Sequence, residues 1–165
     1  MMDTEEEKLK RIETIMTWSI PGPGNFYDNI SHASEGPHVV SRTEDAIDYA
    51  WWDNGFSRRR LSTQLFQFTP VLKYDRLDPE TDYIIRVTGY GEALLRANGV
   101  RLNPVLYNKK LETFKIFLLP KELILNGKLE ITFDKPDESH LNWRQYSKIT
   151  DVWLFKKKMR RIKTA

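Results

Sequence analysis

Leu94-Leu95-Arg96-Ala97-Asn98-Gly99-Val100-Arg101-Leu102 decides the fold. Asn-Gly between apolar pairs is a strong local hairpin signal, because both residues tolerate the positive φ angles of a tight type I′ turn. Around it lie Gln64 to Phe68, Tyr83 to Thr88, Phe114 to Leu119, Leu129 to Phe133 and Val152 to Phe155, all rich in β-branched and aromatic residues. Turn signals separate them at Asp78-Pro79-Glu80, Asn126-Gly127 and Asp134-Lys135-Pro136-Asp137. Thr88-Gly89-Tyr90-Gly91 reads as a further turn, and Pro120-Lys121-Glu122-Leu123 as a short helical one. No helical stretch between the strands is long enough for a parallel crossover, so they must pair antiparallel. The expectation is an all-β chain folded as a two-sheet sandwich or a barrel. From Asn25 to Ser62 the chain reads as irregular, polar and aromatic, with one extended piece at His38-Val39-Val40.

The 165 residues suit one domain that needs no staple to fold. Without cysteine, disulfides, zinc–thiolate sites and cysteine nucleophiles are excluded. No apolar run approaches the length of a membrane helix, and residues 1–7 are acidic, unlike a secretory leader. Thr4 with Glu7 has the form of a capping box, and Leu9, Ile12, Ile15 and Met16 recur at helical spacing, predicting a short N-terminal helix. Pro21-Gly22-Pro23-Gly24 ends it. The expected division is a helix and hinge over 1–23, a sandwich over 24–155 and a basic tail over 156–165. That tail holds six of the 26 basic residues, leaving 20 against 23 acids elsewhere. A mildly acidic body with a basic end argues against a nucleic-acid surface, and membrane binding is not expected either.

Nucleotide-binding, zinc-protease and serine-hydrolase motifs are all missing. His32 and His38 could share a loop with Asp28 or Asp45 as a third ligand, but scattered surface histidines are the plainer reading. Asp28 is also the one named candidate for a structural calcium; no other cofactor is expected. Carboxylates such as Asp28, Glu44, Asp45 and Asp53 leave a small carbohydrate-active hydrolase as an alternative. The richest stretch runs from Tyr49 through Trp51, Trp52 and Asp53 to Arg58, Arg59 and Arg60. Indole faces stack on the C–H faces of sugars while guanidinium groups bind hydroxyls, so this stretch is a candidate glycan site. Structurally, the same tryptophans could plug the sandwich while the arginines pair with acids. Asn142, Trp143 and Arg144 form a second candidate cluster, and Tyr27 with Asp28 a third. Loops of a sandwich gather at common edges, so these clusters are expected on one rim.

The order of motifs carries a resemblance. Gly24-Asn25-Phe26-Tyr27-Asp28-Asn29, Pro37-His38-Val39-Val40, Trp51-Trp52, Leu77-Asp78-Pro79, Tyr83-Ile84-Ile85-Arg86-Val87, Ala97-Asn98-Gly99, Gly127 to Phe133 and Ile149 to Leu154 follow one another in the chain. Together, over about residues 24–155, the chain resembles the galactose-binding-like β-sandwich accessory modules of large bacterial polysaccharide-degrading enzymes. The resemblance implies a jelly roll and a non-catalytic role beside a glycoside hydrolase or polysaccharide lyase. The partners it implies are a polysaccharide or oligosaccharide and a neighbouring catalytic domain of the same polypeptide. It implies glycan binding through aromatic and arginine side chains on edge loops, or simple bracing of the catalytic domain. A domain of a secreted enzyme would be extracellular or periplasmic; a chain complete as given would be cytoplasmic.

Overall fold

The computed structural model describes residues 5–6, 22–30, 36–43, 47–53, 56–105, 115–142 and 145–157, with the backbone alone at 47–53 and 56–61. Its strands are β1 (Phe26–Asn29), β2 (Val39–Ser41), β3 (Ile47–Asp53), β4 (Phe56–Gln64), β5 (Val71–Tyr74) and β6 (Tyr83–Tyr90). They continue with β7 (Leu95–Ala97), β8 (Val100–Arg101), β9 (Lys115–Leu119), β10 (Leu129–Phe133) and β11 (Lys148–Lys156). One sheet runs β3-β4-β11-β6-β9, with β1 also paired to β11; the other runs β2-β5-β10-β7-β8. Every described pairing is antiparallel. The chain is an antiparallel two-sheet β-sandwich, as its strand spacing requires.

Strand alternation builds the core. Tyr83, Ile85 and Val87 on β6, Phe117 and Leu119 on β9, and Val152 and Leu154 on β11 pack with Leu72 and Tyr74 on β5, Leu95 on β7, and Leu129, Ile131 and Phe133 on β10. Leu72, Ile85, Phe117 and Ile131 have no exposure, and burying each such side chain contributes about 1.5–3 kcal/mol. β11 is buried on both faces from Lys148 to Leu154. On the face turned away from that core, Tyr27 packs on Trp153 with ring centres 5.3 Å apart. There the Arg86 guanidinium lies 4.2 Å from the Trp153 ring centre and 4.9 Å from that of Phe155.

One edge of β11 pairs with β6 throughout. The other pairs with β4 at Lys148 and Ile149, then with β1 from Asp151 to Leu154. The register shift in β11 falls between Ile149 and Asp151, at this change of partner, where the Ile30 amide donates to the Thr150 carbonyl at 2.9 Å. Because β1 occupies the edge beyond that point, β4 leaves β11 after Thr63. Among the described residues, its remaining length pairs with β3 alone.

Several expectations need correction. The stretch from Asn25 to Ser62 is not irregular: it holds β1, β2, β3 and most of β4. Asp53 pairs with Phe56, so β3 and β4 are joined by the dipeptide Asn54-Gly55, the same signal as at Asn98-Gly99. β4 ends at Gln64, whose carbonyl accepts from the Gln67 and Phe68 amides in a turn, so Leu65 to Phe68 is not strand. Thr88 to Tyr90 is strand rather than turn. Gly89 is needed there because a Cβ would lie 1.9 Å from the Lys148 carbonyl oxygen, and its φ is +150°. β11 extends to Lys156, which pairs with Tyr83, so the first residue of the expected basic tail belongs to the sheet. The helix expected over the N-terminal segment falls outside the described residues except at Glu5 and Glu6, which are helical. No helix among the described residues is long and apolar enough to cross a membrane.

The hairpin expected at Asn98-Gly99 is present as β7 and β8, with φ of +46° and +84° at the two residues. The short helical turn is present as a 3₁₀ turn at Lys121–Leu123. The Asn98 amide nitrogen of the side chain donates to the Leu123 and Lys128 carbonyls at 2.7 and 3.0 Å, and its Oδ1 accepts from the Glu130 amide at 2.8 Å. Asn98 thereby ties the β7–β8 turn to the 3₁₀ turn and to β10. Asn98→Ala should lower stability by about 2–4 kcal/mol in urea unfolding, because three side-chain hydrogen bonds go and alanine tolerates the left-handed conformation less well than asparagine. Asn98→Gly should recover only the backbone part.

Candidate functional site

The β3–β4 hairpin carries the richest candidate cluster, and its register organises it. Trp51 pairs with Arg58, Tyr49 with Arg60, Ala50 with Arg59 and Trp52 with Ser57. Alternation along a strand therefore assigns positions 49, 51, 58 and 60 to one face of the ribbon and positions 50, 52, 57 and 59 to the other. Directly opposed cross-strand residues have Cβ atoms about 4.5–5.5 Å apart, so the pairing brings an aromatic and an arginine position together twice in succession. The adjacent tryptophans are split between the faces, as strand geometry requires.

The connection holding Asn142 lies at the root of this hairpin, not at its tip. The Leu65 amide donates to the Ser147 carbonyl at 2.9 Å, and Phe66 packs on Tyr146 with ring centres 4.9 Å apart. Buried Glu138 anchors the connection by accepting from the Ser147 amide at 2.8 Å and its hydroxyl at 2.9 Å. Asn142 is exposed, in a turn where its carbonyl accepts from the Gln145 amide at 2.8 Å. Trp143 and Arg144 lie outside the described residues. Arg58 is six residues along β4 from Gln64, about 20 Å of extended chain. The two halves of the expected rim are thus separated by most of the length of β4.

Tyr27 and Asp28 are placed inside the protein. Buried Tyr27 donates its hydroxyl to Asp151 Oδ1 at 2.5 Å. Asp151, also buried, accepts from Asn29 Nδ2 at 3.2 Å and Thr88 Oγ1 at 2.8 Å as well. Asp28 faces the interior between the sheets with no exposure. Its Oδ1 accepts from the His38 amide at 2.9 Å, its Oδ2 accepts from the Tyr74 hydroxyl at 2.8 Å, and His38 Nδ1 lies 3.0 Å from Oδ2. The His38 ring stacks on Tyr74 with centres 4.5 Å apart and meets Phe26 edge-on at 5.1 Å.

The histidine–aspartate pairing considered for a metal is therefore real for Asp28 and His38, but as a hydrogen-bonded unit. Among the described residues no group of three histidine or carboxylate side chains could hold a metal ion. His32, Glu44 and Asp45 lie outside the described residues, and the side chain of Asp53 is likewise undescribed. Sequence reasoning missed Tyr74 and Asp151 as partners of these residues. Nothing local announces Tyr74, which sits on the opposite sheet. The Asn54-Gly55 dipeptide would have revealed the hairpin that pairs Trp51 with Arg58.

Compared with known proteins, the chain matches no family model and no curated protein.

Burial, with the Asp28 carboxylate alongside, pushes the Tyr74 hydroxyl well above the ordinary tyrosine range. A raised folded-state value means that stability is fully present below the unfolded tyrosine pKa of about 10 and is lost as pH rises from there toward the folded value. Wild type should therefore lose stability above about pH 10 faster than Tyr74→Phe, by about 1.4 kcal/mol per pH unit, in denaturant titrations of the two proteins. At neutral pH, Tyr74→Phe should cost about 1.5–3 kcal/mol, the range for a hydrogen bond to a charged group. Equal alkaline slopes in the two proteins would contradict the assignment.

Proposed function

We propose that the chain is a non-catalytic carbohydrate-binding module of the galactose-binding-like type, acting beside the catalytic domain of a glycoside hydrolase or polysaccharide lyase. The observation that carries this reading is the register of the β3–β4 hairpin, in which Trp51 opposes Arg58 and Tyr49 opposes Arg60. A flat aromatic surface beside guanidinium donors meets both demands of a sugar, an apolar ring face and a belt of hydroxyls. The antiparallel sandwich supplies the rigid frame from which such a hairpin extends.

No catalytic step is assigned. Of the candidate carboxylates, Asp28 is buried and engaged by the His38 amide, the His38 ring and the Tyr74 hydroxyl, which suits architecture rather than acid–base chemistry on a polymer. Binding without hydrolysis is the expected behaviour.

Affinity electrophoresis through gels containing plant cell-wall or host polysaccharides tests the proposal. At least one polysaccharide should retard the intact chain and change its tryptophan fluorescence, with no release of reducing ends on prolonged incubation. Trp51→Ala and Arg58→Ala should each weaken retardation by about tenfold, the effect of losing roughly 1.4 kcal/mol of contact. A folded protein that responds to no member of a broad panel would leave the glycan role without support.

A further inference from the structure

On the second sheet, the face turned away from the core carries an open groove of about 450 Å³ between β5 and β10, reaching Asn98. Its volume falls within the usual range for small-ligand sites, roughly 300–1,000 Å³. Four charged residues line it: Lys73 on β5 with Asp75 just past its end, and Glu130 on β10 with Lys128 just before its start. Lys73 pairs with Glu130 and Tyr74 with Leu129 in register, and Asp75 and Lys128 lie just beyond that last pair, next to Tyr74 and Leu129 in the chain. Buried Tyr74 and Leu129 alternate with these four, which consequently share the outer face. Two ammonium groups and two carboxylates line the groove, and their charges sum to zero.

Two properties make this more than a charged surface. The end of the groove is held rigidly, because Asn98 bonds to the Lys128 carbonyl and the Glu130 amide on the strand that forms one wall. A wall fixed before binding costs little to order. The opposite condition holds for the ionic groups. Lys73 Nζ and Glu130 Oε2 are 3.6 Å apart with both side chains about half exposed, and such a pair is worth little. A ligand can exchange it for its own hydrogen bonds at small cost.

The mixed lining selects the ligand. A formal anion drawn to the lysines also meets the groove's carboxylates, and a cation drawn to the acids also meets its ammonium groups. A neutral molecule with several hydroxyls satisfies both kinds of group, donating to carboxylates and accepting from ammonium groups. We infer that this groove binds one neutral sugar residue of a glycan. The inference rests on the carbohydrate reading above and adds to it a site on the other sheet from the Trp51–Arg58 pair.

The test uses the intact chain in gels containing neutral galactan or arabinoxylan, with polygalacturonate as the anionic probe. A neutral polysaccharide should retard the wild type more than polygalacturonate does. Glu130→Gln and Lys128→Met, each with unchanged circular dichroism, should lose about tenfold or more in affinity, since each removes a charge-assisted hydrogen bond. Unchanged affinity in both variants overturns the groove, and leaves the module reading standing if the wild type still binds. Stronger retardation by polygalacturonate overturns the neutral-ligand assignment, and no retardation by any of the three overturns groove and module together.

Discussion

The carboxylate of Asp28 is the point on which the two sheets meet. It belongs to β1 in one sheet, and it holds the hydroxyl of Tyr74 in the other and the amide and ring of His38 at the start of β2. A buried carboxylate without partners would be costly enough to unfold the region, so the contacts are obligatory rather than ornamental. Because the Tyr74 hydroxyl is buried against that charge, it stays protonated, and a neutral donor beside an anion is the arrangement the site can tolerate. Phe26 and the stacked His38 ring surround the polar centre with apolar surface and keep water away from it.

The second organising feature is the change of partner along β11. That strand is buried on both faces, and one edge passes from β4 to β1 at the register shift around Thr150. The exchange has a geometric consequence for function. Once β1 has taken the edge, the rest of β4 pairs, among the described residues, with β3 alone, and Trp51 and Arg58 lie on that ribbon. Two-stranded ribbons are marginal on their own, so a binding surface of this kind depends on the firm anchorage of Thr63 and Gln64 at the root. The groove on β5 and β10 has the reverse character: it lies on a fully paired sheet, with Asn98 as its brace.

Much of the architecture was legible in the chain. Alternation in Leu129 to Phe133 and in Tyr83 to Val87 announced strands because each has one face in the core, and Asn98-Gly99 announced its hairpin through positive φ. The failures have equally definite causes. β1 was missed because its inward Asp28 and outward Asn29 interrupt the apolar pattern, and their partners Tyr74 and Asp151 lie far away in sequence. Gly89 looked like a turn residue because a glycine required by the close approach of a neighbouring backbone resembles one required by a turn. Tyr27 and Asp28 looked like ligand residues because polar aromatic loops and buried polar clasps have the same composition. Only the distance to Asp151 and Tyr74 separates the two.

By itself the sequence determined that this chain is an antiparallel β-protein, since the spacing of its apolar pairs and its turn residues leaves no room for helical crossovers. Tertiary structure alone decided which polar side chains are internal: Asp28 and Asp151 are consumed by hydrogen bonds to groups on other segments, and no local pattern encodes such partners. It decided too that Lys73, Asp75, Lys128 and Glu130 surround one groove, because charges some fifty residues apart acquire a common geometry only when β5 and β10 come into register.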